Sequence, residues 1–221
     1  MSNFNLYPHN KESYEKIKEG FESSNIVGIV HATGTGKSFN ALEYVSDNTD
    51  ENILYVVPSL GIIEHVKNII AKSGFVLEKD FPNLKFCTYM SFVNLSREEL
   101  KNIKVDTLIL DEFHHLGAPV WGSRINTLIK THSNIKVLGM TAYTVRDRNT
   151  PYERDMANPD TNELFSNHIV SRYDLCDAMV DGVLPKPIYK TAYVNLLEDV
   201  DYLEKRLDNL DHNTCLLYTS D

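Results

Sequence analysis

The segment His31-Ala-Thr-Gly-Thr-Gly-Lys-Ser38 constrains this chain more than any other. It follows a short continuous apolar run, Ile26–Val30, that reads as a buried strand, and it precedes a helical pattern through Phe39, Leu42 and Val45. A strand, a glycine-rich turn and a helix in that order form the context a phosphate-binding loop requires. Gly34 and Gly36 permit backbone torsions that aim N–H groups inward and let phosphate oxygens approach closely. Lys37 can reach the β- and γ-phosphates as a point charge, and the Ser38 hydroxyl can ligate Mg²⁺. The helix N-terminus adds a partial positive charge. Thr33 and Thr35 complete the stretch that would wrap the nucleotide. The strict pattern has glycine where His31 stands, so the competing reading is a glycine turn before a helix with an incidental lysine.

The rest of the chain supplies the sheet such a loop needs. Apolar runs alternate with amphipathic stretches, the signature of a doubly wound, mostly parallel α/β sheet. Tyr14, Ile17 and Phe21 lie at helical spacing after Asn10, which reads as an N-cap. Ile53–Val57 is the next strand, closed by Pro58, and Ile62, Ile63, Val66, Ile69 and Ile70 form a helical stripe. Lys85–Thr88, Thr107–Leu110 and Ile135–Met140 read as strands, and Trp121, Ile125, Leu128 and Ile129 mark a helix between the last two. Functional loops are expected at the carboxyl ends of these strands. Beyond Thr141 the character changes. Tyr143–Asn162 is charged and carries Pro151 and Pro159, as a linker would. A short segment around His168–Ser171, a helix over Leu175–Val180 and a strand from Ile188 to Val194 follow. The expected division is a nucleotide-binding lobe over 1–145, a connector over 146–195 and the start of a further segment over 196–221.

A second chemical signal is Leu108-Ile-Leu-Asp-Glu-Phe-His-His115, where an apolar strand delivers two carboxylates at its carboxyl end. Asp111 can hold Mg²⁺, and Glu112 is placed to polarise an attacking water. Alone the pair reads as a solvated strand end; together with the loop, in one α/β pattern, it reads as the other half of a nucleotide site. His114 and His115 lack the further ligands a metal site needs, so a coupling role is expected of His114. Thr141, in Gly139-Met-Thr-Ala-Tyr143, puts a hydroxyl at the end of the next strand, within reach of the acidic turn.

Taken together, these motifs resemble superfamily 2 helicases of the DEAD/DEAH-box type, close to the bacterial motor subunits of type I and type III restriction enzymes. Ala32–Ser38 matches motif I, Asp111-Glu-Phe-His114 matches the D-E-x-H of motif II, and Thr141-Ala142 matches the start of motif III, with Tyr143 in place of the usual Thr. Val57-Pro58-Ser59-Leu60 resembles motif Ia, and Thr88-Tyr89-Met90-Ser91-Phe92 resembles the stretch that lines the nucleic-acid side. Leu6-Tyr-Pro-His-Asn10 resembles the adenine-recognition segment, with Asn10 where Gln is common. Parts of the connector, among them Glu163-Leu-Phe165 and Asp181-Gly-Val-Leu-Pro185, resemble the same group. The resemblance implies a RecA-like lobe that binds ATP and Mg²⁺. It assigns Tyr7 and Asn10 to the base, and His114, Thr141 and Ala142 to coupling. Pro58, Ser59, Thr88 and Tyr89 go to a nucleic-acid track, DNA in preference to RNA. It also implies a second RecA-like lobe as partner, which supplies arginine fingers. Nothing after residue 195 resembles that lobe. Cys215-Leu-Leu-Tyr-Thr-Ser-Asp221 resembles translated sequencing adaptor, so a truncated reading frame with a non-native tail is expected.

Composition sets the remaining bounds. Hydrophobic residues make up 42% of the 221, enough for a sizeable core. A net charge of −9 argues against sequence-blind nucleic-acid binding over the whole surface and leaves room for a local basic track. Cys87, Cys176 and Cys215 form no C-x-x-C pair, so neither a zinc site nor a disulfide framework is indicated. No stretch approaches the roughly 20 apolar residues of a membrane span, and Met1–Asn10 lacks a signal's apolar region, so a cytoplasmic location is expected. Two other functions share the loop. A P-loop phosphotransferase would need an acceptor pocket and lid, and the D-E-F-H and Pro58-Ser59-Leu60 elements speak against it. A non-catalytic nucleotide-binding fragment would bind ATP without chemistry.

Overall fold

Strands buried on both faces of a parallel sheet need continuous apolar runs, because helices cover each side. The chain supplies such runs for the four inner strands of a six-stranded sheet. The computed structural model describes residues 4–114, 119–132, 134–142, 164–165, 167–186 and 188. Among them the strands are β1 (Ile26–His31), β2 (Ile53–Val57), β3 (Leu84–Thr88), β4 (Thr107–Asp111), β5 (Lys136–Thr141) and β6 (Ile169–Tyr173). They form one sheet in the order β3-β2-β4-β5-β1-β6, and every pair in it is parallel. The alternation within a strand sorts side chains to two cores. Ile53, Tyr55 and Val57 of β2 join one apolar cluster, and Leu54 and Val56 join the other. Helices α1 (Pro8–Ser23), α2 (Lys37–Asp47) and α3 (Leu60–Lys72) cover the first face, followed by the short α4 (Leu77–Asp80). Helices α5 (Tyr89–Val93), α6 (Arg97–Asn102) and α7 (Pro119–Thr131) cover the second. The helix α8 (Leu175–Val180) follows β6.

Two findings change the sequence reading. Asn10 is not an N-cap: α1 begins at Pro8, with Tyr7 as the flanking residue and no side-chain cap. Proline at the first turn supplies the helical φ and lacks only an N–H that would have no intrahelical partner there. The segment around His168–Ser171 is a strand of the main sheet. β6 pairs with β1, in register from Ile29↔Ser171 to His31↔Tyr173, and the compact unit that contains the sheet runs to Pro185. The sheet thus takes its sixth strand from the stretch read as connector.

That docking has a specific footing. Gly28 of β1 and Gly139 of β5 are paired across the sheet. A Cβ on Gly139 would stand 2.5 Å from Phe165, and one on Gly28 would stand 2.9 Å from the same ring. The two glycines make the slot that Phe165 fills, and Phe165 in turn stacks on Phe113 at 4.3 Å between centroids. Among the described residues no helix is long and apolar enough to cross a membrane. The linker Tyr143–Asn162 and the strand expected from Ile188 fall outside the described residues, Ile188 itself excepted.

Candidate functional site

The sheet order brings β4, β5 and β1 side by side, so their carboxyl ends present Asp111, Thr141 and His31 along one edge. The loop that leaves β1 turns through Gly34 (φ 85°) and Gly36 (φ 88°), both in the left-handed region open to glycine. A Cβ on Gly36 would also stand 2.6 Å from Asn10 Nδ2. Thr35 Oγ1 donates to Ala32 O at 2.7 Å and closes the loop on itself. From outside, Asn10 Nδ2 donates to Thr35 O at 2.9 Å, and His9 Nε2 donates to the same carbonyl at 2.7 Å. Lys37, nearly buried, donates from Nζ to His31 O at 3.0 Å and to Ala32 O at 3.4 Å. Thr33 and Gly34 face solvent, Thr35 is buried, and Ser38 is half-buried at the first turn of α2. Tyr7 is 56% exposed, whereas Asn10 is fully buried. Asn10 therefore braces the loop from behind, and its amide does not present itself to a base as the resemblance implies. A side chain one methylene shorter than Gln ends at the loop carbonyl.

On β4 the chain turns sharply: Glu112 has φ 52°, the only positive value at a non-glycine among the described residues. Its N–H donates to Asp111 Oδ1 at 3.1 Å. Its carboxylate accepts from Thr141 Oγ1 at 3.2 Å and lies 3.3 Å from His114 Nδ1. His114 Nδ1 also lies 2.8 Å from Thr141 Oγ1, an arrangement satisfied if the ring donates to Thr141 and Thr141 donates to Glu112. The Ala142 N–H gives Glu112 a further hydrogen bond. Motifs II and III thus meet through side chains, as the spacing on adjacent strands allows.

Charges at this edge are only partly balanced. Burial raises the Asp111 carboxyl to about 6, Glu112 adds to the rise, and Lys37 opposes it. Burial also pushes Glu112 up, but His114 and Lys37 outweigh it, and Glu112 ends below the usual carboxylate range. Burial lowers the Lys37 ammonium, and the two carboxylates pull it back. Two neighbouring carboxylates separated in this way have different capacities: one stays ionised, the other takes a cation to stay so. The wholly buried Tyr55 and Tyr89 phenols are pushed well above their ordinary value by burial, then by the Asp111 charge. Among the described residues no cluster of three His, Cys, Asp or Glu could hold a metal on its own. One carboxylate, one hydroxyl and a phosphate group is the kind of donor set Mg²⁺ takes.

The expected nucleic-acid residues lie on the same edge but farther out, after β2 and β3, across β4 and β5 from the loop. Pro58 is half-buried and Ser59 exposed. Thr88 is nearly buried, and its Oγ1 accepts from Ser91 N at 3.1 Å as the cap of α5. Tyr89 does not face any surface: it is 1% exposed, and its hydroxyl donates to Asp111 O at 2.9 Å. It supports the acidic turn from beneath, while Met90 beside it is 61% exposed. His115, Tyr143 and Glu163 lie outside the described residues.

With the site assembled, comparison with known proteins gives its lineage. The profile of the Type III restriction enzyme res subunit matches residues 3–146. The chain belongs to that family. The stretch that defines this restriction-subunit family holds both the loop and the acidic turn, and β6 lies past it. The chain is 25% identical over 207 residues to a protein named "Putative helicase 7" from Sulfolobus islandicus filamentous virus, covering 81% of this chain and 31% of the viral one. In fold it is similar to the Sulfolobus solfataricus SWI2/SNF2 ATPase core in complex with dsDNA, at TM-score 0.52 and 16% identity, covering 95% of this chain and 55% of that one. It is also similar to the ATP-dependent Type ISP restriction-modification enzyme LlaBIII bound to DNA, at TM-score 0.55 and 17% identity, covering 80% of this chain and 16% of the enzyme. The chain thus spans about a third of its viral relative and about half or less of these solved chains. The structural likenesses carry the fold, a RecA-like lobe.

Four residues at the site were not singled out by any motif: Ser171, Tyr173 and Tyr55 lie outside the motifs, and His9 lies inside the Leu6–Asn10 segment without an assigned role. Histidine, serine and tyrosine on an apolar strand or near a helix start look like ordinary core or surface residues, and only the fold reveals what they touch.

Proposed function

We infer that this chain is the ATP-binding lobe of an ATP-dependent nucleic-acid helicase or translocase. The observation that carries the reading is the convergence of Lys37, Asp111, Glu112, His114 and Thr141 on three adjacent strand ends. The exposed Thr33 and Gly34, the rest of the loop to Gly36 and the start of α2 would cradle the β- and γ-phosphates. Lys37 would turn its ammonium from the loop carbonyls to phosphate oxygens. Tyr7 is placed to stack on the base, and Asn10 holds the loop in shape. Ser38 and Asp111 would hold Mg²⁺, which supplies charge neutralisation across the phosphates when bound. Glu112, kept ionised by its partners, would accept a hydrogen bond from the water that attacks the γ-phosphorus. The water oxygen would bond to the γ-phosphorus as the bond to the β–γ bridging oxygen breaks, and ADP and inorganic phosphate would leave, the water's proton passing to the phosphate or to solvent. His114 and Thr141 tie Glu112 to β5 and would relay its state.

A second RecA-like lobe would supply an arginine finger, a contribution of about 10³–10⁵ in rate. By itself the chain binds ATP and turns it over very slowly. Pro58, Ser59 and Thr88 would form the nucleic-acid track, through phosphate and sugar contacts that carry no base sequence. DNA is favoured over RNA because two of the solved relatives named above are complexes with DNA.

Binding of a fluorescent ATP analogue to the purified chain, with and without Mg²⁺, tests the reading. It stands if wild type binds in an Mg²⁺-dependent manner, Lys37→Ala does not, and single-stranded DNA displaces less readily with RNA than with DNA as competitor. Robust DNA-stimulated turnover by the chain alone would overturn the need for a second lobe. Stabilisation by a small metabolite and not by DNA would point to a phosphotransferase.

A further inference from the structure

The phosphate loop is held from three directions by residues 169–185, which lie outside motifs I, II and III. The first hold is on the loop's entrance. Ala32 N donates to Tyr173 O at 2.8 Å, so the last residue of β6 fixes the first backbone group past β1. One residue earlier, His31 Nε2 and Ser171 Oγ share a 2.9 Å hydrogen bond, with His31 wholly buried and Ser171 7% exposed. The second hold reaches the middle of the loop through a ring. Tyr173 stacks on His9 with centroids 4.2 Å apart and planes 8° from parallel, and His9 is the ring that donates to Thr35 O. The third reaches the loop's apex: a Cβ on Gly34 would stand 3.2 Å from Leu184 Cδ2.

The stretch that makes these contacts is itself closed locally. Asp174 and Asp177 form a reciprocal capping box at the start of α8. Tyr173 OH donates to Asp181 Oδ2 at 2.8 Å, and Val183 N and Leu184 N both donate to Ala178 O at 2.9 Å. Moving Leu184 away from Gly34 therefore disturbs the same turn that Tyr173 anchors. His31 stands where the strict loop pattern has glycine, and a glycine there could make neither the bond to Ser171 nor the ring contact with Tyr173 at 5.7 Å. The departure from the pattern and the grip of β6 are one feature.

We propose that Ser171, Tyr173 and Leu184 are positioning residues of the phosphate loop, so that nucleotide occupancy and the docking of residues 169–185 are thermodynamically coupled. The inference rests on the nucleotide-site reading above. Its consequence is a route from the nucleotide to whatever follows Pro185, along the edge of the lobe remote from the acidic turn. Coupling between two elements is reciprocal: what the nucleotide does for the stretch, the stretch does for the nucleotide. A purely structural edge strand would show neither direction.

The test uses the full chain, fluorescent ADP with MgCl₂, and hydrogen–deuterium exchange of peptides covering 169–185. Saturating nucleotide should slow exchange in those peptides in wild type. Tyr173→Leu and Ser171→Ala should each weaken ADP about tenfold, within the usual range of such couplings, and should lose the nucleotide-induced protection. Tyr173→Phe keeps the ring on His9 and should rescue affinity to within about twofold of wild type. If Tyr173→Leu fails to fold, Leu184→Ala and the wild-type exchange pattern decide the matter. The proposal is overturned if wild type binds ADP, Lys37→Ala does not, and yet exchange over 169–185 is indifferent to nucleotide. It is equally overturned if the soluble variants bind as wild type does. If wild type does not bind nucleotide, or Lys37→Ala binds as well as wild type, the nucleotide-site reading itself has failed.

Discussion

The two ends of one sheet are built on opposite electrostatic plans. At the amino ends of β2, β4 and β5, Glu51, Lys136 and Asp106 find their partners within the protein. Glu51 accepts from Lys136 at 2.6 Å, from Thr107 at 2.6 Å and from Tyr44 at 3.0 Å, tying three neighbouring strands at their starts. Asp106 accepts from the backbone and side chain of Asn52 at 2.7 and 2.8 Å, and these bonds lower its pKa. At the carboxyl ends of β4 and β5, Asp111 is raised to about 6, Lys37 is lowered, and Glu112 holds a left-handed φ. The same strands thus carry a self-satisfied end and an end where burial works against the charges of Asp111 and Lys37. Perturbed groups in a strained turn mark the functional end, and paired groups mark the stabilising one.

The sharpest way to break this comparison is Glu112→Gln. The amide keeps the shape and the Thr141 contact but cannot serve as an ionised acceptor for water. Single-turnover hydrolysis of radiolabelled ATP should slow by about 10²–10⁴, with analogue affinity unchanged. Equal turnover in the variant would remove Glu112 from the chemistry. Lys37→Ala comes next. Loss of a charge-assisted contact to phosphate should weaken the ATP analogue on the order of 100-fold, read by fluorescence titration. Affinity equal to that of wild type would overturn the placing of nucleotide on this loop.

Both variants concern residues that the sequence made plain, and it is instructive which features were not. Lys37, Ser38, Asp111 and Glu112 were legible because phosphate chemistry demands particular residues at fixed spacing after a strand. The strands β1, β2, β4 and β5 were legible because full burial needs a nearly unbroken apolar run, a signal that exposed Lys85 weakens in β3. β6 was only half legible: Ser171 and Arg172 interrupt its apolar pattern, and an edge strand is buried less than a central one. The short helices α4 and α5 escaped because four or five residues are too few to display a 3.6-residue period, and α6 escaped although Ser96 and Glu99 spell a capping box. The roles of Asn10 and Tyr89 were misread for a different reason. A motif records that a residue is used, not which way it faces, and exposures of 0% and 1% make both of them supports.

A third prediction bears on the cost of the functional end. Asp111 has a folded pKa of about 6 against an ordinary value of 3.8. Between these values the folded chain binds more protons than the unfolded chain, so stability falls as pH rises through that window. The contribution is complete below about pH 4 and lost by pH 7. Asp111→Asn removes the buried charge and should stabilise the nucleotide-free chain at pH 7 by about 1–3 kcal/mol in urea denaturation. The gain should vanish near pH 4, while Mg²⁺-dependent nucleotide affinity is lost at every pH. A variant less stable than wild type at pH 7 would show that Lys37 already balances this carboxylate without a ligand.

The smallest expected effect sharpens the other half of the comparison. Glu51→Gln leaves a side chain of the same shape at the amino ends of the strands but removes the charge that Lys136 pairs with. Lys136 is 34% exposed, so water compensates part of the loss, and the pair is worth less than a buried one. Thr107 and Tyr44 keep a neutral acceptor in place of a charged one. The expected loss is about 1–2 kcal/mol of stability, measured by urea denaturation at pH 7. The affinity for the ATP analogue should stay within about twofold, because the site lies at the opposite ends of the strands and distant, independent sites add. A larger drop in affinity would mean that the two ends are not independent, and that β4 and β5 transmit strain along their length to Asp111 and Thr141.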